Sequence, residues 1–327
     1  MTRIRLFLAS LLLLSLCCCG KSERPQEKAV HDSIPGTASA PQQKLKIALV
    51  LKTLTNPYFA GIEKGARRAE QEFGVDLQVK TGSQETAIEQ QIQIVEELIE
   101  LKVDAIVITP GDSKRTIPIL RKALDAGIVV INLDNPLDAA LLVRNRMQSV
   151  PYVSVDNAQA SYQVVKSVTQ SITKVTKAAI IGGIVGAGNS QLRIQGATRA
   201  FEENPAIRMV AMESADWQIE QGHDAARRIL LKHPDLGILF CANDMMALGA
   251  IQYLHESGRK NVSVIGYDAL TEARAAIAAG TMVASVDQQA EQQGYLAVSL
   301  AVRALHGEKI PAKILVDAQI VNAASLK

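Results

Sequence analysis

The chain has 327 residues, is 48% hydrophobic and carries a formal net charge of +2. That length and apolar content allow two domains of ordinary size, and the near balance of charge lacks the basic footprint of a nucleic-acid binder. Aromatic residues make up only 4% of the chain, so a Trp or Tyr in a cleft is more informative than usual.

Residues 1–19 read as an export leader. Arg3 and Arg5 form a positive n-region, and the apolar stretch 6–16 is too short to span a bilayer. It ends in Leu16-Cys17-Cys18-Cys19-Gly20, and a leucine three places before Cys19 resembles the bacterial lipobox, in which that cysteine is lipidated. Cys17 and Cys18 depart from the small residues of that pattern, so a conventionally cleaved or uncleaved signal is the alternative. Residues 20–44, rich in Pro, Ser, Gln, Ala and charge, read as a flexible tether that holds a folded domain off a membrane. The one remaining cysteine, Cys241, sits among Ile238, Leu239 and Phe240 and reads as an inert core residue. No disulfide framework or metal-ligand spacing is available.

Beyond the tether, apolar strands and amphipathic helices alternate. The first strand, 46–50, runs into a polar loop at Lys52-Thr53, and Pro57 can open a helix because a first-turn residue needs no amide hydrogen. A helix follows over 61–73, stopped by Gly74, then a strand over 77–80. The helix at 87–101 places Ile88, Ile92, Val95 and Ile99 on one face. Strands at 105–108 and 129–133 flank a helix at 113–125. The pattern restarts with a strand at 152–155 and a helix capped by Asp156-Asn157 that runs to about residue 172. Strands at 178–181, 209–212, 236–240 and 262–265 alternate with helices at 191–203, 218–232 and 244–256. Such alternation builds parallel sheets with helices on both faces. Two successive wound units imply two similar α/β domains facing each other across a cleft.

Enzyme chemistry has little support. Gly182-Gly183-Ile184-Val185-Gly186-Ala187-Gly188 follows a strand, but its G-x-G-x-x-G continuation has Gln191 where the third glycine belongs. A loop lying flat against a ligand or a neighbouring domain explains those glycines as well. No histidine neighbours a nucleophile, no G-x-S-x-G, H-E-x-x-H or P-loop is present, and no motif requires a cofactor. What recurs is polar or aromatic residues just after strands: Lys52 and Asn56, Asp134 and Asn135, Trp217, Asn243 and Asp244, Tyr267 and Asp268, and Gln288. Strand carboxyl ends are where open α/β sheets bind ligands. Hydrogen-bonding side chains around aromatic rings suit a sugar, whose hydroxyls donate and accept while its C–H faces stack. Asn243, Asp244 and Asp268 equally suit helix caps, and Tyr58 and Phe59 equally suit packing of a helix on the sheet.

The stretch 49–59, with Ile131-Asn132-Leu133-Asp134, Ala215-Asp216-Trp217, the run 241–249 and Ile265-Gly266-Tyr267-Asp268, resembles the periplasmic sugar-binding proteins of ABC importers, in the ribose-binding branch. Lys52 and Trp217 make the allose-binding type the nearer likeness within it. The resemblance implies two doubly wound parallel-sheet lobes joined by a three-strand hinge, the type I periplasmic binding-protein fold. It implies crossings near 155–156, 288–289 and 317–318, hence one lobe from 45–155 plus 289–317 and another from 156–288 plus 318–327. It further implies that Lys52, Asn56, Asp134, Asn135, Arg193, Asn243, Asp268 and Gln288 bind the sugar, with Tyr58, Phe59 and Trp217 flanking its ring. Arg193 is placed by the similar pattern Arg193-x-x-Gly196-Ala197-Thr198-x-Ala200-Phe201. Asn135 stands where allose-type members carry an acidic residue, and Tyr267 where they carry a smaller one, which leaves the sugar open.

The expectation is therefore a non-enzymatic, monomeric solute-binding protein in the periplasm or at the cell surface, lipid-anchored to a membrane. Its partners would be a monosaccharide such as allose or ribose and the membrane permease of an ABC importer, with no nucleic acid. A sugar sensor presenting its closed form to a chemoreceptor or histidine kinase is the alternative. A sugar-responsive repressor would need a helix-turn-helix where the leader and tether lie. An exported NAD-type enzyme is disfavoured by the incomplete glycine pattern.

Overall fold

The computed structural model describes residues 44–326. The leader, Cys19 and the tether up to residue 43 lie outside the described residues. In chain order the first half comprises β1 (Lys46–Leu51), α1 (Pro57–Phe73), β2 (Asp76–Thr81), α2 (Ile88–Glu100), β3 (Ala105–Ile108), α3 (Ile117–Asp125), β4 (Val129–Leu133), α4 (Ala139–Arg144) and β5 (Tyr152–Ser154). The second half comprises α5 (Asn157–Thr169), β6 (Thr176–Gly182), α6 (Gly188–Glu202), β7 (Ile207–Ser214), α7 (Ile219–Lys232), β8 (Leu236–Cys241), α8 (Asp244–Glu256), β9 (Ser263–Ile265), α9 (Thr271–Ala278) and β10 (Ala284–Asp287). α10 (Ala290–Leu305), β11 (Lys313–Leu315) and β12 (Gln319–Asn322) complete it.

These strands form two six-stranded sheets, ordered β11-β5-β4-β3-β1-β2 and β12-β10-β9-β8-β6-β7. The central strands β1 and β3 are buried along nearly their whole length, as strands covered by helices on both faces must be. Each sheet with its helices is one α/β lobe, and both are wound in parallel except at one edge. β12 runs antiparallel to β10. The chain passes between sheets three times: after β5, between β10 and α10, and between β11 and β12. α10 returns to pack on α1 of the first lobe.

Local chemistry moves several boundaries from the sequence pattern. α1 starts at Pro57, because the Asn56 side chain accepts from the Tyr58 N–H and closes the first turn ahead of the apolar stripe. α3 starts only at Ile117, leaving Ser113 in the loop. α6 starts at Gly188, one turn earlier than the periodicity suggests. Cys241 ends β8 fully buried, and burial pushes its thiol well above the usual range, as an unreactive core cysteine requires.

Candidate functional site

The loops at the strand carboxyl ends of both sheets meet around one small, tightly closed cavity of about 10 Å³, room for about one water as it stands. Twelve residues line it: Lys52, Asn56, Tyr58, Phe59, Glu85, Asp134, Asn189, Arg193, Trp217, Asn243, Asp268 and Gln288. A wider open groove lies beside it, bounded by α1, α10 and the loop 268–271, and shares only Tyr58 and Asp268 with the cavity.

The first-lobe wall is a buried ionic cluster. Lys52 Nζ lies 3.0 Å from Asp134 Oδ2 and 3.9 Å from Glu85 Oε2, and 5.5 Å from the centre of the Phe59 ring. Glu85 Oε1 accepts a 3.0 Å hydrogen bond from Asn56 Nδ2, while Asn56 Oδ1 caps α1. Both ends of that amide are thereby fixed. Asp134 adopts a left-handed backbone (φ 64°), a costly conformation for an ordinary residue. Its carbonyl is pinned by hydroxyl hydrogen bonds from Tyr152 and Ser154, each 2.9 Å.

The second-lobe wall is built on Arg193 of α6. Its Nε donates to Asn157 Oδ1 at 2.8 Å, Nη1 to the Ala242 carbonyl at 2.9 Å and Nη2 to Gln288 Oε1 at 3.0 Å. Asp268 Oδ1 is 3.6 Å from Nη1 and accepts from Gln288 Nε2 at 2.6 Å. The guanidinium stacks 3.8 Å from the centre of the Tyr267 ring, with Trp217 on another side at 5.5 Å, a favourable cation–π arrangement. Trp217 takes a left-handed backbone (φ 69°), and its ring fills the space that a Cβ at Gly183 would need. Asn243 caps α8 through the Met246 N–H and donates its amide to the Trp217 carbonyl.

Burial sets the electrostatics. Desolvation raises Glu85 to about 7 against the opposing pull of Lys52 and Asn56. It holds Asp268 well above the usual carboxylate range despite Arg193, and keeps Tyr58 a neutral phenol. The cations Lys52 and Arg193 therefore face two carboxyl groups, Glu85 and Asp268, that take up protons readily, a set suited to a neutral polyhydroxy ligand. Two buried lining donors, Tyr58 Oη and Trp217 Nε1, have no hydrogen-bond partner in the protein, a state that buried polar groups rarely tolerate.

Ten of the eleven residues singled out in the sequence line this cavity. Asn135 does not: its Nδ2 donates to the Pro110 carbonyl at 2.8 Å, and its Oδ1 accepts from the Asn189 N–H and the Ser113 hydroxyl. Its amide is spent on loop contacts. Tyr267 also lies behind the wall, as the shelf under Arg193. Glu85 and Asn189 line the cavity without having been singled out. Glu85 follows the second strand and obeys the same carboxyl-end rule as the others. Asn189 was hidden in the glycine-rich run because the helix begins before its apolar period does.

The family profile described as "Periplasmic binding protein domain" matches residues 47–309. The D-ribose/D-allose-binding protein of Pseudomonas aeruginosa is 35% identical over 283 residues, 86% of each chain. The D-allose-binding periplasmic protein of Escherichia coli is 30% identical over 80% of this chain and 85% of its own. Among solved structures, an ABC transporter periplasmic solute-binding protein from Actinobacillus succinogenes with bound D-allose superposes with a TM-score of 0.82 at 36% identity, covering 86% of this chain and 98% of that one. A profile match over most of the chain and a relative 35% identical over 86% of it show that the chain belongs to the periplasmic binding protein family, among its sugar-binding ABC-transporter members.

Proposed function

We propose that this protein captures one monosaccharide, of the allose or ribose kind, between its lobes and delivers it to the permease of an ABC importer. The observation that carries this reading is the cavity itself, with Lys52, Asp134, Arg193, Asp268 and Gln288 converging from both sheets beside Trp217, Phe59 and the unpartnered Tyr58 and Trp217 donors. Charge-assisted hydrogen bonds from such groups contribute roughly 1.5–3 kcal/mol each. The D-allose bound by the Actinobacillus structure and the ribose and allose named for the relatives support the sugar class. In this reading Asn56, Asn243, Glu85 and Asn189 complete the polar set, and the protein binds without catalysis.

The three chain crossings, at 155–156, 288–289 and 317–318, are read as the hinge between a lobe of 45–155 plus 289–317 and one of 156–288 plus 318–327. A sugar that touches both walls favours the closed form by its additional contacts there. Export to the periplasm as a monomer, held by a lipid on Cys19, accompanies this role. A thermal-shift screen against aldopentoses, aldohexoses, ketoses and polyols tests it. Ligand at a hundred times its Kd adds about 2.7 kcal/mol, so allose or ribose is expected to raise the midpoint by several degrees. A flat response across the panel would overturn the monosaccharide assignment.

A further inference from the structure

The glycine-rich run that ends β6 leads straight into α6, and it meets the first lobe rather than the cavity. The Ser113 N–H donates to the Gly186 carbonyl at 3.1 Å. The Gly188 N–H donates to Ser113 Oγ at 2.9 Å, and the Asn189 N–H donates to Asn135 Oδ1 at 3.1 Å. Ser113 Oγ in turn lies 3.3 Å from Asn135 Oδ1 as its donor. Gly188 and Asn189 are the first two residues of α6, and the residue in the cap position, Ala187, offers no side-chain acceptor. A helix begins with four amide donors that lack partners within it, and a side-chain oxygen normally supplied by the cap residue satisfies one or more of them. Here the acceptors for the first two, on Gly188 and Asn189, come from the opposite lobe, while the Ser190 N–H is met within its own lobe by Asn189 Oδ1.

We propose that Ser113 and Asn135 are positioning residues that cap α6 across the cleft, so that a latch with no sugar contact of its own sets how firmly the lobes hold their ligand. When the lobes separate, the first turn of α6 loses its cap. When they close, it regains the cap and at the same time aligns Asn189 and Arg193, one turn apart on α6, with Asp134. The latch explains why Asn135 sits beside the sugar-site aspartate yet turns its amide away from the cavity. It also explains Gly188: a Cβ there would lie 2.9 Å from Pro136 Cγ and 3.0 Å from Ser113 Oγ, and its nearest neighbours all belong to the first lobe. The glycine is required by closure and not by the fold of the lobe that carries it.

The effect on affinity rests on the sugar-binding reading above, so the test has one arm that needs no sugar. In the Asn135→Cys/Asn189→Cys double variant, which adds no side chain at Gly188, mild oxidation is expected to join the lobes where the Asn189 N–H meets Asn135 at 3.1 Å, with the linked 135–189 peptides identified by mass spectrometry. Absence of that link, with or without allose or ribose, overturns the latch. In the second arm, Gly188→Ala is expected to leave the thermal midpoint of the ligand-free protein unchanged or slightly raised, since alanine favours a helix over glycine. The same variant is expected to weaken binding of the sugar at least tenfold through a faster dissociation rate, and Ser113→Ala severalfold. Hydrogen exchange at the amides of 186–189 should slow on sugar addition in the wild type and not in Gly188→Ala. Unaltered affinity and equal protection in that variant would overturn the inference. A cross-link that forms while no sugar binds the wild type would uphold the latch and overturn the sugar assignment instead.

Discussion

The two walls of the cavity are built on different terms. Arg193 in the second lobe has all three guanidinium nitrogens engaged, by Asn157, Ala242 and Gln288, and lies on the Tyr267 ring. Each of those partners belongs to its own lobe or to the crossing that joins it. Lys52 in the first lobe is shared between two carboxylates, and Asp134 receives its amide donor, Asn189, from across the cleft. One wall is complete by itself, and in the closure proposed above the other is completed only when the lobes meet. A ligand thus meets a fixed surface on one side and a charge cluster that settles around it on the other. Removing a group from the fixed wall should damage the fold as well as binding, whereas changes in the first-lobe wall should show mainly in pH dependence and in binding.

Arg193→Ala breaks the comparison most severely. It leaves Asp268 buried beside Asp244 without its cation and strips acceptors from Asn157, Gln288 and Ala242 of their donor. Breaking a buried pair on one side costs about 3–5 kcal/mol, so chemical denaturation should show a loss of that order together with loss of sugar binding. From the sequence alone Arg193 is simply a ligand-binding residue. Its hydrogen bonds make it the keystone of the second wall too, and a variant of wild-type stability would refute that.

Glu85→Gln probes the settling wall. With its pKa raised from 4.5 to about 7, Glu85 keeps a proton in the folded protein that the unfolded chain has already released. Between those values the folded state binds more protons, so stability falls as pH rises and is lowest above 7. A rise from 4.5 to about 7 corresponds to roughly 3 kcal/mol. Glutamine can still accept from Asn56 and needs no proton, so the variant should gain that much over the wild type at pH 8 and nothing at pH 4. Asp244 and Asp268 titrate in both proteins and cancel from the difference. Parallel stability curves for the two proteins between pH 4 and 8 would show that Lys52 already neutralises Glu85.

The sequence carried the sheets more plainly than the walls. Long apolar strands such as β1 and β3 announce a sheet buried on both faces, and the turn chemistry after them points at the ligand side. Strands of three or four residues with half-exposed patterns, β11 and β12 above all, carry no period long enough to read. Their place is decided by tertiary pairing. Polar residues at strand ends are legible as a set, but the direction of each side chain is not. Asn135 and Asp134 are neighbours of similar shape, and only the carbonyl of Pro110 and the amide of Asn189 turn one of them out of the cavity. Arg193 is legible by pattern, while its shelf, Tyr267, comes from the turn after β9, more than seventy residues on, and is joined to it by the fold alone.

The smallest expected effect isolates the link between the walls. Asn189 Nδ2 approaches both oxygens of Asp134, at 3.3 and 3.4 Å, long for a hydrogen bond to a carboxylate. A bond of that length should contribute about 1 kcal/mol. Asn189→Ala removes it and leaves the Asn189 N–H bond to Asn135, which uses the backbone, in place. The second-lobe wall loses nothing, since none of Arg193's partners is Asn189. Asn189 Oδ1 also accepts from the Ser190 N–H within the lobe, so the ligand-free protein should lose about 1 kcal/mol, as a lost first-turn cap costs, and sugar affinity should fall about fivefold besides, carried by the dissociation rate because the bond to Asp134 exists only once the lobes have met. A fall in the association rate instead would mean that Asn189 already meets the sugar in the open protein, and that the first wall is not the one completed by closure.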